Sequence, residues 1–170
     1  MVLDMDVLTD AALRVAVAIS PGTKVLEIGV RDGNLAESLL QLSLAYTGCD
    51  LPGRITVAAD RIGTGVNSHE TRFVGIERAT IPIASDTYQW IFMPEADEVL
   101  RYSGLSVDEI LRVLDPGGWI WLTFDTDSEL STEMSVFHLC GCADASAVSS
   151  LDGGRRGHRI LRKVDETTVD

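Results

Sequence analysis

Residues 24–33 read KVLEIGVRDG and carry the clearest indication of the fold. Its first five residues are mostly apolar and predict a short buried strand that ends at Gly29. A helical pattern follows at once, with Leu35, Leu39 and Leu42 on one face. A strand, a glycine-containing turn and a helix in direct succession form the first half of a βαβ unit, so we expect parallel strands.

The remaining sequence continues this alternation. Later strands are predicted at residues 44–49, 72–76, 88–93 and 119–124, with a terminal pair at 145–151 and 158–164 joined by a Gly-rich turn. Helices are predicted at residues 9–19, 55–62 and 128–141, the first with Thr9 or Asp10 as its N-cap. Another helix is predicted to begin at the capping box of Ser106 and Glu109 and to stop at Pro116. Five strands separated by helices, then a hairpin, describe a mostly parallel sheet with helices on both faces and an antiparallel edge.

Length and charge narrow the class of protein. The chain has 170 residues, of which 45% are hydrophobic, so residues 1–170 are expected to form a single domain. Its 26 acidic and 14 basic residues give a net charge of -12, which disfavours nucleic acid as a partner. The basic residues between 155 and 163 fit alternation along a strand.

Targeting and redox signals are weak. No apolar run approaches the roughly 18 residues of a membrane span, and the start of the chain has no basic region typical of a signal peptide. We therefore expect a cytoplasmic protein with no membrane partner. Three cysteines do not make a disulfide framework, and Cys140 and Cys142 have no second ligand pair, so no metal site is expected.

The candidate binding residues lie where strands end, because an open parallel sheet binds its ligand at the carboxyl ends of its strands. Glu27 to Gly33 follow the first strand, and Asp50 follows the second. Glu77 and Arg78 follow the third, and residues 94–98 follow the fourth. Glycine at 29 and 33 would let the backbone approach a ligand closely and turn into the helix.

These residues resemble the motifs of class I S-adenosylmethionine-dependent methyltransferases. The stretch VLEIGVRDGN is similar to the first motif of that family, and Asp50 lies 23 positions beyond Glu27 (50 minus 27), as the family's ribose-binding acid does. Residues 77–83 and 88–91 resemble the third and fourth motifs, and residues 109–118 resemble the helix and turn before the fifth strand. The resemblance extends from about Leu13 to Val164.

The resemblance implies a three-layer Rossmann-like sandwich with a mostly parallel seven-stranded sheet and a C-terminal antiparallel hairpin. It implies S-adenosyl-L-methionine as cofactor and methyl transfer to a small-molecule acceptor. In this reading Asp50 accepts the ribose hydroxyls, Glu77 accepts from the adenine amino group, and Glu27 orients the loop or the ligand's ammonium. The implied cofactor-binding residues are Glu27, Gly29, Val30, Arg31, Gly33, Asp50, Leu51, Glu77 and Arg78.

Two positions depart from the family pattern. Arg31 stands in place of the middle glycine, and its side chain would turn to solvent, pair with the cofactor carboxylate or fill the cofactor cavity. Gln89 stands where many members have an aspartate.

The acceptor pocket would be open or completed by an oligomeric or protein partner, since little sequence precedes the first helix.

Methyl transfer needs alignment and exclusion of water more than a base. If the acceptor is a hydroxyl, the candidate catalytic residues are Glu95, Asp97 and His138, each with a plainer role as a helix-end residue. Tyr102 and Trp119 would line a pocket or pack in the core.

Two other functions remain open. One is a catalytically inactive methyltransferase-like binding or assembly module, suggested by Arg31. The other is a nicotinamide-dependent oxidoreductase, whose fingerprint needs three glycines in Gly-x-Gly-x-x-Gly, whereas the turn supplies two at another spacing.

Overall fold

The computed structural model describes residues 5–63, 71–125, 137, 142–144, 149–150 and 156–164. Helices and strands alternate through most of this length. The helices described are α1 (Met5–Ala16), α2 (Asn34–Leu40), α3 (Pro52–Ile62), α4 (Ala96–Ser103) and α5 (Val107–Val113). The strands described are β1 (Lys24–Ile28), β2 (Ala45–Asp50), β3 (Arg72–Gly75), β4 (Tyr88–Met93), β5 (Leu114–Asp125), β6 (Cys142–Asp144), β7 (Ser149–Ser150) and β8 (Arg156–Lys163).

All these strands join one sheet in the order β3-β2-β1-β4-β5-β8-β6, with β7 also paired to β8. The first five strands run parallel, and β8 runs antiparallel to β5, β6 and β7. The predicted Rossmann-like α/β fold with an antiparallel C-terminal hairpin is therefore confirmed. The described strands number eight and not seven, because β6 and β7 share the edge of β8 that β5 leaves open.

Helices cover both faces of the sheet. Along β1, Leu26 and Ile28 face the core under α4 and α5, whereas Val25 faces the core under α1, α2 and α3. The central strand β4 is apolar on both sides, since Ile91 faces the core under α4 and α5 and Phe92 faces the core under α1, α2 and α3. A strand buried on both faces reads as a continuous apolar run, which explains the sequence pattern there.

Several element boundaries differ from the prediction. Helix α1 begins at Met5, so Asp10 lies inside it and pairs with Arg14 one turn later at 2.9 Å instead of capping the helix. Helix α3 begins at Pro52, because proline is favoured at the first helical position, where no N–H is needed. Strand β5 begins at Leu114, five residues before Trp119, through an irregular pairing with Tyr88.

Helix α4 was not predicted, although residues 94–98 were placed at the strand end. Its N-cap, Glu95, has a left-handed backbone with φ 51°, which sequence patterns do not favour for glutamate. Gly104, also left-handed at φ 70°, ends the helix.

The Ser106 cap of α5 is confirmed. Its hydroxyl accepts from the Glu109 amide at 3.2 Å. The Glu109 carboxylate accepts instead from the Ile81 amide at 2.8 Å and pairs with Arg112, and these contacts lower the pKa of Glu109, Arg112 contributing most. The helix start therefore also holds the loop before β4.

The predicted helix at 128–141 lies outside the described residues, apart from Phe137, which is fully buried in the core under α4 and α5. None of the helices in the described ranges has the length and apolar character needed to cross a membrane.

Candidate active site

The strand order reverses next to β1, which lies between β2 and β4. In open α/β sheets, ligands bind at this switch point, outside the carboxyl ends of the strands. The turn at residues 29–33 follows β1, Asp50 ends β2, and Glu95 follows β4. The fold thus brings three strand ends to one place.

Gly29 is required by both conformation and space. Its φ is 89°, and its amide donates to the Cys49 carbonyl at 2.8 Å, which ties the turn to β2. A Cβ at this position would lie 2.5 Å from Cγ2 of Val99 on α4. The turn therefore packs directly against α4, and any larger residue must displace that helix or the turn.

Asp50 is the centre of the site. Its side chain is completely buried, and Oδ2 accepts from the Arg31 backbone amide at 3.0 Å. Oδ1 accepts from the Leu51 amide at 2.7 Å and from the Tyr102 hydroxyl at 2.9 Å. The carboxylate is thus oriented by two backbone donors that belong to the turn and to the strand end.

These strand ends are arranged as expected for a site that binds a nucleotide-type cofactor. A comparison of the sequence with protein-family profiles gives independent information about the family. Residues 26–122, more than half of the chain, match the profile of a family described as methyltransferase domain. The chain belongs to this family. This match agrees with the resemblance to class I S-adenosylmethionine-dependent methyltransferases, whose cofactor is S-adenosyl-L-methionine.

Solved structures show the same fold. The 4+2 cyclase SpnF superposes with a TM-score of 0.79 at 14% identity, covering 93% of this chain and 81% of its own. A SAM-dependent methyltransferase from Aquifex aeolicus gives 0.72 at 15% identity, covering 92% and 89%. The N-methyltransferase NodS from Bradyrhizobium japonicum WM9, solved with S-adenosyl-l-homocysteine, gives 0.70 at 16% identity, covering 92% and 85%. No curated protein sequence matches this one.

In this methyltransferase, Arg31 lies across the edge of the site. Its guanidinium forms ion pairs with Glu95, which caps α4, and with Glu98 in the first turn of α4 at 2.6 Å. Burial lowers the pKa of Arg31, but Glu95 and Glu98 outweigh it, so the pKa is raised overall. With 18% of its side chain exposed, Arg31 neither turns out to solvent nor stands unpaired. It joins the β1 turn to α4.

Tyr102 and Arg54 close the other side of the site. Tyr102 lies on α4 and donates to Asp50, and the guanidinium carbon of Arg54, on α3, lies 4.0 Å from the centre of the Tyr102 ring. Burial and the neighbouring Asp50 raise the pKa of the Tyr102 hydroxyl above its usual value, so it is a neutral donor. Tyr102 was expected to line a pocket or pack in the core, but its hydrogen bond to Asp50 was not predicted.

Glu27 lies beneath the turn and not at its surface. Only 1% of it is exposed, and its Oε2 accepts from the Tyr46 hydroxyl at 2.5 Å. The pKa of Glu27 is raised to about 8, mainly by burial. The Tyr46 hydrogen bond lowers it, and the charges of Asp50 and Asp32 raise it, by smaller amounts. Val30, similarly, is 2% exposed and packs with the core under α1 and α2.

Glu77 and Arg78 lie on the surface just beyond β3. The preceding residue, Ile76, donates its amide to the Asp50 carbonyl at 2.8 Å, so this loop adjoins the Asp50 site. Glu77 and Thr80 exchange backbone hydrogen bonds in a tight turn. The structure therefore groups Gly29, Arg31, Asp50 and Leu51 closely, with the exposed Glu77 side chain at the next strand end.

The catalytic candidates have different surroundings. Glu95 is 5% exposed and is paired with Arg31, while His138 lies outside the described residues. Among the residues described, no three His, Cys, Asp or Glu side chains are grouped as a metal site requires.

Proposed function

We propose that this methyltransferase transfers the methyl group of S-adenosyl-L-methionine to a small-molecule acceptor, with the cofactor at the carboxyl ends of β1, β2 and β3. The observation that carries the proposal is Asp50, a fully buried carboxylate oriented by the Arg31 and Leu51 amides at the switch point. A carboxylate in this place can accept a ribose diol, as in dinucleotide sites.

The surrounding residues fit the other parts of the cofactor. The turn at Gly29 and Gly33, both with left-handed backbones, brings main chain close to the ligand. Glu77 and the backbone of Arg78 adjoin Asp50 through Ile76 and would hold the adenine. When bound, the cofactor supplies an activated methyl on its sulfonium. The chain then contributes alignment of the acceptor and exclusion of water.

Charge supports a small acceptor. The net charge of -12 repels a polyanion, and the half-exposed Glu98 adds a carboxylate beside Arg31 at the edge of the site. Since the Glu95 carboxylate is engaged by Arg31, we assign it a positioning role and not that of a base. Transfer by alignment alone is sufficient for an acceptor that reaches the site as a nucleophile.

Isothermal titration calorimetry with S-adenosylmethionine and S-adenosylhomocysteine tests the cofactor site. We expect a micromolar Kd, which corresponds to a binding free energy on the order of -8 kcal/mol. Asp50→Asn leaves a single acceptor oxygen and should weaken binding at least about tenfold. Asp60→Asn, on the exposed side of α3, is the matched control and should bind as the parent does. Absence of heat and of a thermal shift with both ligands would contradict the proposal.

A catalytically inactive binding or assembly module is the second candidate, because Arg31 and Tyr102 both close the site. Arg31→Gly separates the two. If the parent binds the cofactor, its cofactor site is intact, whereas binding only in the variant identifies a chain that has lost its cofactor. Titration with NADH, monitored by fluorescence, tests the oxidoreductase alternative in the same samples.

A further inference from the structure

We propose that Tyr102 is a gate for the cofactor: its hydroxyl occupies the ribose acceptor on Asp50 until a nucleoside displaces it. This inference rests on the proposed function, because it assigns a specific competitor to the same site. It makes Tyr102 a residue that sets both the affinity and the specificity of cofactor binding.

The Tyr102 hydroxyl lies in the space that a ribose hydroxyl would need. It lies 2.9 Å from Asp50 Oδ1 and 3.4 Å from the point where a Cβ on Gly29 would stand. The space kept open by the absence of a side chain at Gly29 is thus shared with the phenol. A ribose hydroxyl bound to Oδ1 needs the same space, so phenol and ribose exclude one another.

The Tyr102 side chain can move while helix α4 stays in place. Helix α4 is held by the ion pairs of Glu95 and Glu98 with Arg31 and by the completely buried Val99 against Gly29. Tyr102 itself is only partly buried, near the end of this helix. Rotation of one side chain toward solvent therefore releases Asp50 without unpacking α4.

Opening of the gate exchanges the hydrogen bond from Tyr102 to Asp50 for one from the ribose. Opening removes one phenolic donor from Asp50, and a ribose diol restores a donor to the same oxygen. A ligand without the diol leaves the buried carboxylate short of a donor, which is unfavourable. The gate consequently favours ligands that carry a ribose diol over ligands that offer Asp50 no hydroxyl. Arg54, stacked on the Tyr102 ring, stabilises the closed position.

A gate multiplies the intrinsic binding constant by the fraction of molecules that are open, so the apparent Kd rises as that fraction falls. Tyr102→Phe removes the hydroxyl and leaves the ring, so S-adenosylhomocysteine should bind about tenfold more tightly by calorimetry. The ligand-free variant should also melt at a lower temperature than the parent. Tyr88→Phe, a buried tyrosine at the start of β4, is the matched control and should leave the Kd unchanged.

A second variant guards against misfolding of the first. Arg54→Met keeps Tyr102 but removes the cation over its ring, and should tighten binding several-fold by the same mechanism. Weaker or unchanged binding in Tyr102→Phe, with a parent that binds, overturns the gate and leaves the proposed function standing. Failure of parent and both variants to bind overturns both.

Discussion

Glu27 gives the sharpest test of the interior of the site. Its carboxyl is buried beneath the β1 turn, and burial raises its pKa from 4.5 to about 8. Between these values the folded chain holds one more proton than the unfolded chain. The free energy of unfolding must therefore be highest below pH 4.5 and fall as the pH rises toward 8, by up to about 1.4 kcal/mol per pH unit for this one group.

Glu27→Gln isolates this contribution. Glutamine is neutral at every pH and can still accept from Tyr46, so it imitates the protonated acid. We expect similar unfolding free energies for variant and parent near pH 5, and a more stable variant at pH 8, by several kcal/mol at most. Urea unfolding at pH 5, 6, 7 and 8 measures the difference. Glu37→Gln, on an exposed face of α2, is the control and should parallel the parent.

Parallel curves for the parent and Glu27→Gln would refute this reasoning. They would mean that Glu27 titrates at its ordinary value in the folded chain, and hence that water reaches it. A variant less stable than the parent at pH 8 would mean that the ionised carboxylate is the form that Tyr46 stabilises.

Two further stability predictions follow from the turn. Arg31→Ala leaves the buried Glu95 without its cation and should lower the unfolding free energy by about 3 kcal/mol, measured by urea unfolding, and an unchanged midpoint would contradict the ion pair. Gly29→Ala forces a Cβ into Val99 and should cost about 2 kcal/mol or more, whereas Gly22→Ala, at a similar φ but with nothing within 4 Å, should cost only about 1 kcal/mol. Equal melting temperatures for the two glycine variants would show that α4 does not pack on the turn.

The sequence predicted the parts of this molecule that depend on local pattern. Strand, turn and helix around Gly29 follow from hydrophobic spacing, and the Ser106 cap follows from residue type. Helix α4 does not follow from local pattern, because its N-cap is a glutamate in a left-handed conformation. Tertiary contacts support that conformation: the ion pair with Arg31, and the hydrogen bond that the Glu95 amide donates to the Thr123 hydroxyl at 2.8 Å. Local propensity gives no information about a backbone held by a distant charge.

The site divides in the same way. Asp50 was predicted because it follows the second strand and lies at the spacing of the ribose-binding acid in the family that the sequence resembles. The bond between Tyr102 and Asp50 joins residues 52 positions apart, on different elements, so no local signal specifies it. Likewise, Arg31 was recognised as a departure from the family pattern, but its partners Glu95 and Glu98 depend on how α4 packs.

A crystal structure of the chain with S-adenosylhomocysteine would show whether Asp50 holds the ribose and whether Tyr102 moves. The expected result is a nucleoside against the turn at Gly29, with its ribose hydroxyls on Asp50 and the Tyr102 hydroxyl turned away. A ligand bound elsewhere, or a saturated crystal in which Tyr102 still donates to an Asp50 that touches no ribose, would contradict it.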